Sequence, residues 1–259
     1  MNVLKYFIFL FSISALSQNK PSIVHHTKTP LNSDRLIEID NFNTSYILRE
    51  NMLIKINESE DYSYSNVQLN EITSVNAFNP LKINVFYKAF NSAIILDNRL
   101  AEIIKIDFNV IDPFRSVTHI STGNDNTIWL YNQNTQQIEL FDYKSNKSRI
   151  VTLPNEGDAL DLESNFNFCW LLTTEYIYVY NYAGSLIDKF PNEGYTDIEE
   201  KNGNLFFVNV DQLLFRPKNS SKIEALEIPK LLINHFLVTN ETLYIYTDEM
   251  LHKFQLKIN

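Results

Sequence analysis

The chain runs to 259 residues, with 22 Lys and Arg against 31 Asp and Glu and a net charge of −9. That balance argues against binding to nucleic acid or to an anionic membrane, which rests on clustered positive charge. Cys169 is the only cysteine, which excludes a disulfide framework, and no Pro/Gly/Ser-rich linker divides a chain long enough for one well-buried domain.

Lys5 precedes an apolar run over residues 6–16, and Ala15-Leu16-Ser17 presents small residues where a signal peptidase reads. Residues 1–17 are therefore expected to be a signal peptide cut before Gln18, with residues 18–259 forming one β domain. The run is too short for a comfortable membrane span, and no cysteine follows it to carry a lipid anchor. The expected location is periplasmic, outer-membrane-associated or extracellular.

Next come His25 and His26, adjacent and so pointing to opposite faces of any strand, which prevents them from chelating one ion together. The clearest repeat unit spans residues 119–154. Ile120 opens a short strand, Gly123-Asn124-Asp125-Asn126 is a dense turn, and Thr127 to Tyr131 is β-branched and aromatic. Ile138, Leu140 and Asp142 then alternate with Glu139, Phe141 and Tyr143 in the period of two that marks a strand. Residues 149–153 read as a last strand that Pro154 stops, because proline cannot donate to a ladder.

The pattern recurs about every forty residues. First strands are expected near Ile37, Val75, Ile120, Leu160, Ile198 and Phe236, and second strands around Ile47, Phe86, Trp129, Trp170, Phe207 and Tyr244. Third strands begin near Leu53, Ile94, Ile138, Ile177, Leu213 and Leu251. Fourth strands are expected over 63–69, 102–108, 149–153, 186–190 and 223–228, so the sixth unit lacks one. The short β-prone stretch 22–27 is expected to supply it, since pairing the two chain ends hides the open edge of the ring.

With this pattern the chain resembles a six-bladed β-propeller of the broad group that includes NHL repeats and gluconolactonase-like proteins. The stretch 179–191, with Gly184 at its turn, is similar to the hairpin of third and fourth strands in such blades, and 96–108 repeats the shape without the glycine. No Trp-Asp dipeptide and no Gly-Gly doublet is present. The asparagine-, isoleucine- and lysine-leaning usage is also similar to that of exported proteins of Bacteroidetes-type bacteria.

Catalytic motifs are absent: there is no G-x-S-x-G, H-E-x-x-H, C-x-x-C or phosphate-cradling glycine loop, and nothing calls for a cofactor. The resemblance implies a channel lined by first strands, with ligands at its mouth. The mouth candidates are Asp40, Asn76, His119, Asp161, Glu199 and His235. Asp158, Asp161 and Glu163 form an acidic group in which Asp161 and Glu163 share a strand face. Cys169, set among apolar neighbours, is expected to be buried and inert, while Tyr62, Tyr64 and Tyr195 are expected at exposed positions open to a partner.

Two functions follow as expectations. The first is a non-catalytic protein-binding or scaffold module of the bacterial cell envelope, with a protein partner, no nucleic acid and no membrane span. The second is a divalent-metal-dependent lactonase or hydrolase with its site in the channel. Oligomeric state is left open.

Overall fold

The structure is a computed structural model that describes residues 22–31, 33–40, 44–57, 60–210, 212–247 and 250–257. The expected signal peptide lies outside the described residues. Strand β1 (Ser22–Pro30) comes first. Blade 1 then holds β2 (Arg35–Ile39), β3 (Ser45–Arg49), β4 (Met52–Ile56) and β5 (Tyr62–Tyr64). Blade 2 holds β6 (Ser74–Asn76), β7 (Ile83–Tyr87), β8 (Ser92–Leu96) and β9 (Glu102–Asp107). Blade 3 holds β10 (Val117–Thr122), β11 (Thr127–Asn132), β12 (Gln137–Asp142) and β13 (Lys147–Val151).

Blade 4 holds β14 (Ala159–Ser164), β15 (Phe168–Thr173), β16 (Tyr176–Asn181) and β17 (Leu186–Pro191). Blade 5 holds β18 (Asp197–Lys201), β19 (Asn204–Asn209), β20 (Gln212–Arg216) and β21 (Glu224–Ala225). Blade 6 holds β22 (His235–Val238), β23 (Thr242–Thr247) and β24 (Met250–Lys257), and its fourth strand is β1, paired antiparallel with β24. Six antiparallel four-stranded sheets thus form a propeller, closed by both chain ends as the sequence leads one to expect. Among the described residues no helix is long and apolar enough to cross a membrane.

Burial explains which strands read clearly. Middle strands are covered on both faces by neighbouring blades, so β7, β8 and β11 are buried throughout. This corrects the expected alternation over 138–143: Glu139, Phe141 and Tyr143 are as buried as Ile138 and Leu140, because both faces of β12 meet another blade. Outer strands face water, and β13 alternates between exposed and half-buried residues. Fourth strands differ from expectation in length. β5 stops at Tyr64, and β21 is two residues long because Leu226 already turns into the core. β13 ends at Val151, before Pro154 is reached.

The core is distributed between blades. Tyr46, Leu48 and Leu53 of blade 1 pack with Ile83, Val85 and Ile94 of blade 2. Trp129 and Leu140 of blade 3 meet Leu162, Cys169 and Leu171 of blade 4. Leu237, Tyr244 and Leu251 of blade 6 return to Leu36, Ile39 and Ile47 of blade 1, which completes the ring. Each fully buried aromatic or aliphatic side chain here contributes about 1.5–3 kcal/mol relative to exposure.

Turn chemistry accounts for a ring with five glycines. Asn51, Asn70, Asn91, Asn146, Asn202 and Asn219 adopt positive φ, a conformation asparagine tolerates better than most side chains. Gly184 is at a turn that asparagine could not fill. Its φ is +77°, and an added Cβ would collide with Ile150 of the neighbouring blade. The aromatic expectation needs correction: Tyr64 and Tyr195 are buried and Tyr62 is half-buried, because they close the spaces between blades.

Candidate functional site

All six inner strands line one central cavity of about 210 Å³. Its chemistry follows from the period of two: alternate residues of each inner strand face the bore while the others face the neighbouring blade. Two tiers of polar side chains result.

The first tier lies where the inner strands begin. Asp161 accepts hydrogen bonds from its neighbour's N–H at Leu162 (2.8 Å) and from Ile198 N–H of blade 5 (3.0 Å). Burial, and then the adjacent Asp197, push the Asp161 carboxyl well above the usual range, so it keeps a proton. Burial pushes Asp197 upward too, but the neighbouring His235 and the protonated Asp161 more than reverse this and hold it low. His235 Nδ1 is 3.8 Å from Asp197. Arg35 completes the tier and donates to the Thr73 carbonyl at 3.1 Å.

The second tier is Glu38, Glu163 and Glu199. Burial raises Glu38 to about 7 and, with Glu38 and Glu200 nearby, Glu163 to about 8. Burial, Glu163 and Glu38 raise Glu199 well above the carboxylate range. Glu163 and Glu199 are nevertheless half-buried rather than sealed, as expected of groups set inside a narrow bore that water can enter. Where the inner strands finish, Phe78 and Phe166 meet edge to face at 5.0 Å from blades 2 and 4.

Of the sequence candidates, Asn76, His119, Asp161, Glu199 and His235 all line the cavity. Asp40 does not. It sits past the end of β2 and accepts Thr44 N–H at 2.9 Å. Asn76 is occupied with holding blades together: it donates to Ser121 Oγ (3.2 Å) and accepts from Thr122 Oγ1 (2.7 Å). His119 is fully engaged as well. Its Nε2 must donate to the Leu160 carbonyl at 3.1 Å, which leaves Nδ1 to accept the Thr118 hydroxyl at 3.0 Å. Burial and the charge of Lys88 lower it to about 4, so it is neutral near pH 7.

Asp158 parts from its sequence neighbours: it is exposed at a turn where its backbone N–H donates to Thr174 Oγ1 at 3.1 Å, and it does not line the bore. Cys169 is buried between blades 3 and 4, and burial pushes its thiol up. His26 reaches His252 of the last strand, while the His25 side chain lies outside the described residues. Among the described residues no three His, Cys, Asp or Glu side chains are grouped to hold a metal ion.

Arg35, Glu38 and Asp197 were missed as candidates, and Glu163 was seen only as part of an acidic group. A signal existed: Asp161-Leu162-Glu163 and Asp197-Ile198-Glu199 are the same Asp-apolar-Glu triplet at the same place in consecutive repeats.

Fold and bore together define a six-bladed β-propeller with an acidic channel. No protein-family model matches the chain, and no curated protein matches its sequence. Among solved structures it is similar to virginiamycin B lyase from Staphylococcus aureus, at 14% identity and TM-score 0.62, over 90% of this chain and 99% of that one. A streptogramin B lyase structure matches at 13% identity and TM-score 0.63, over 90% and 88%. BamB from Moraxella catarrhalis matches at 12% identity and TM-score 0.50, over 82% and 69%. At these identities the likeness is one of fold.

Proposed function

We propose that the chain is an exported, non-catalytic binding module of the bacterial cell envelope, and that its channel receives a basic group from a protein partner. The surplus of carboxyl groups in the bore carries this reading. Glu38, Asp161, Glu163, Asp197 and Glu199 line one cavity, in which Arg35 is the sole permanent cation among the described residues. Like charges at such range cannot all ionise, so several of the carboxyl groups hold protons near neutrality. An entering guanidinium or ammonium would release those protons and be held by charge-assisted hydrogen bonds. A cavity of about 210 Å³ suits one side chain better than a drug-sized ligand. Export rests on the lysine-then-apolar start of the sequence and on the small residues Ala15-Leu16-Ser17.

A second reading, a hydrolase or lactonase acting in the channel, is favoured by His235. It stands beside Asp197, and a histidine oriented by a carboxylate is a common general base. Two of the fold relatives are also named lyases. The binding reading asks less of the site, because His119 has no nitrogen to spare and Asn76 is committed to its neighbours.

The test is cross-linking in envelope extract, comparing the native protein with the triple variant Glu38→Gln, Glu163→Gln, Glu199→Gln. A stoichiometric partner captured by the former and lost by the latter supports the proposal. A metal-supplemented screen against lactones and phosphoesters runs beside it. Saturable turnover that disappears in Asp161→Ala, Asn76→Ala or Glu199→Ala would overturn it. Mass spectrometry of the native protein should find an N-terminus near Gln18, and an intact Met1 would remove the export claim.

A further inference from the structure

The ring is closed by one strand pairing, β1 with β24, running from Ser22 opposite Lys257 to Pro30 opposite Met250. The ladder itself is backbone and indifferent to pH. A side-chain link crosses it: His26 Nε2 lies 2.9 Å from His252 Nδ1. The ring centroids are 5.1 Å apart and the planes differ by 7°. That separation is close to the bond length plus two ring radii, so the imidazoles lie end to end in one plane, joined by an N–H···N bond. His26 also stacks flat on Phe254, at 4.4 Å and 8°.

The other nitrogen of His252 is engaged too. Its Nε2 is 3.1 Å from Thr247 Oγ1 at the end of β23. A bond between two imidazole nitrogens needs one hydrogen between them. A neutral pair satisfies this, and so does a pair carrying one added proton. A doubly protonated pair cannot, because two N–H groups would then point at each other across 2.9 Å.

We propose that the His26–His252 pair makes ring closure acid-sensitive: the second proton breaks the link and lets β1 part from β24. Among the described residues, no carboxylate is found acting on His252 to oppose this. The charges acting on His252 are His26 and Lys28, both on β1 and both positive when protonated. β23 contributes an uncharged hydroxyl through Thr247, and β24 contributes the Phe254 ring. Lys253, next along β24, lies over the Tyr244 ring on the opposite face. Burial, then His26 and Lys28, hold His252 below the usual imidazole range. The folded chain therefore binds fewer protons than the unfolded one as pH falls through about 6.5, and closure weakens in acid. Departure of β1 would leave a row of unpaired N–H and C=O groups along β24, an edge open to another strand.

Hydrogen exchange by mass spectrometry on the full mature protein, at pH 7.5 and pH 5.0 and corrected for intrinsic rates, tests the proposal. Protection of amides in 22–30 and 250–257 should fall about tenfold or more at pH 5.0 while β11 and β12 hold theirs. In His252→Gln, or in His26→Gln should the first variant fold poorly, that selective loss should vanish. Equal loss in all blades, no loss at pH 5.0, or a selective loss that persists in both variants would overturn it.

Discussion

Asp161 on the inner strand of blade 4 accepts the backbone N–H of Ile198 on the inner strand of blade 5 at 3.0 Å. One carboxyl group therefore both lines the bore and ties two blades together, while sharing a proton with Asp197. The channel is thus part of the scaffold, and changes to its charge should register in stability as well as in binding.

Replacement of Asp161 separates the two roles. Asp161→Asn keeps a carbonyl acceptor for Ile198 and a donor toward Asp197, so it should stay within about 1 kcal/mol of the native stability at pH 7. Asp161→Ala leaves a backbone N–H unmet and should cost about 1–3 kcal/mol. Urea denaturation of the two variants checks this, and equal losses would contradict it.

The pH response of the bore has a definite sign. Glu163 has an ordinary value near 4.3 when unfolded and about 8 when folded, chiefly because of burial. The folded state therefore holds the extra proton between those values, and the stability this confers, present at pH 4, is lost as pH rises toward 8. Glu163→Gln should raise the melting temperature at pH 8.5 by a few degrees, about 2–4 °C per kcal/mol, and change it little at pH 4.5. A scan at the two pH values checks it; equal shifts at both would contradict the assignment.

Blade 3 carries a buried ion pair. Arg115 Nε meets Glu139 Oε2 at 2.7 Å, with both side chains at least nine-tenths buried. Burial pushes Glu139 up, but hydrogen bonds from Ser148, Arg115 and Asn132 more than reverse this and hold it low. Arg115→Ala should cost about 3–5 kcal/mol by stranding the carboxylate, whereas replacing both partners by apolar residues should cost less. Chemical denaturation of the single and double variants decides the point.

Cys169 has no access to solvent and its thiol is pushed up by burial, then by Glu163. A thiol reagent at pH 8 should label it only as fast as blades 3 and 4 open, and at once in denaturant. Rapid labelling of the native protein would contradict its burial between blades.

Most of the ring was legible in the sequence, because middle strands such as β11 and β15 are dense in β-branched and aromatic residues whatever their surroundings. β1 was legible through the missing fourth strand of the last repeat. Fourth strands were less so: β21 is two residues long because Leu226 is drawn into the core, a tertiary effect with no local pattern. The lining of the bore was legible in outline. His119, Asp161, Glu199 and His235 reach the bore because strand period alone directs them there. Asp40 follows the last residue of β2, so the strand period no longer directs it to the bore. The charge state of the bore could not be read at all, since it comes from three glutamates brought together from three blades.

The central claim is that the bore receives a cation, and isothermal titration with a short arginine-containing peptide at pH 7 tests it most directly. Runs in two buffers of different ionisation enthalpy count the protons exchanged. Glu38 at about 7 and Glu163 at about 8 are partly protonated there, so binding should release protons and weaken with added salt. The Glu38→Gln, Glu163→Gln, Glu199→Gln variant should give no heat of binding. No binding by the native protein, binding without proton release, or equal binding by the triple variant would contradict the account.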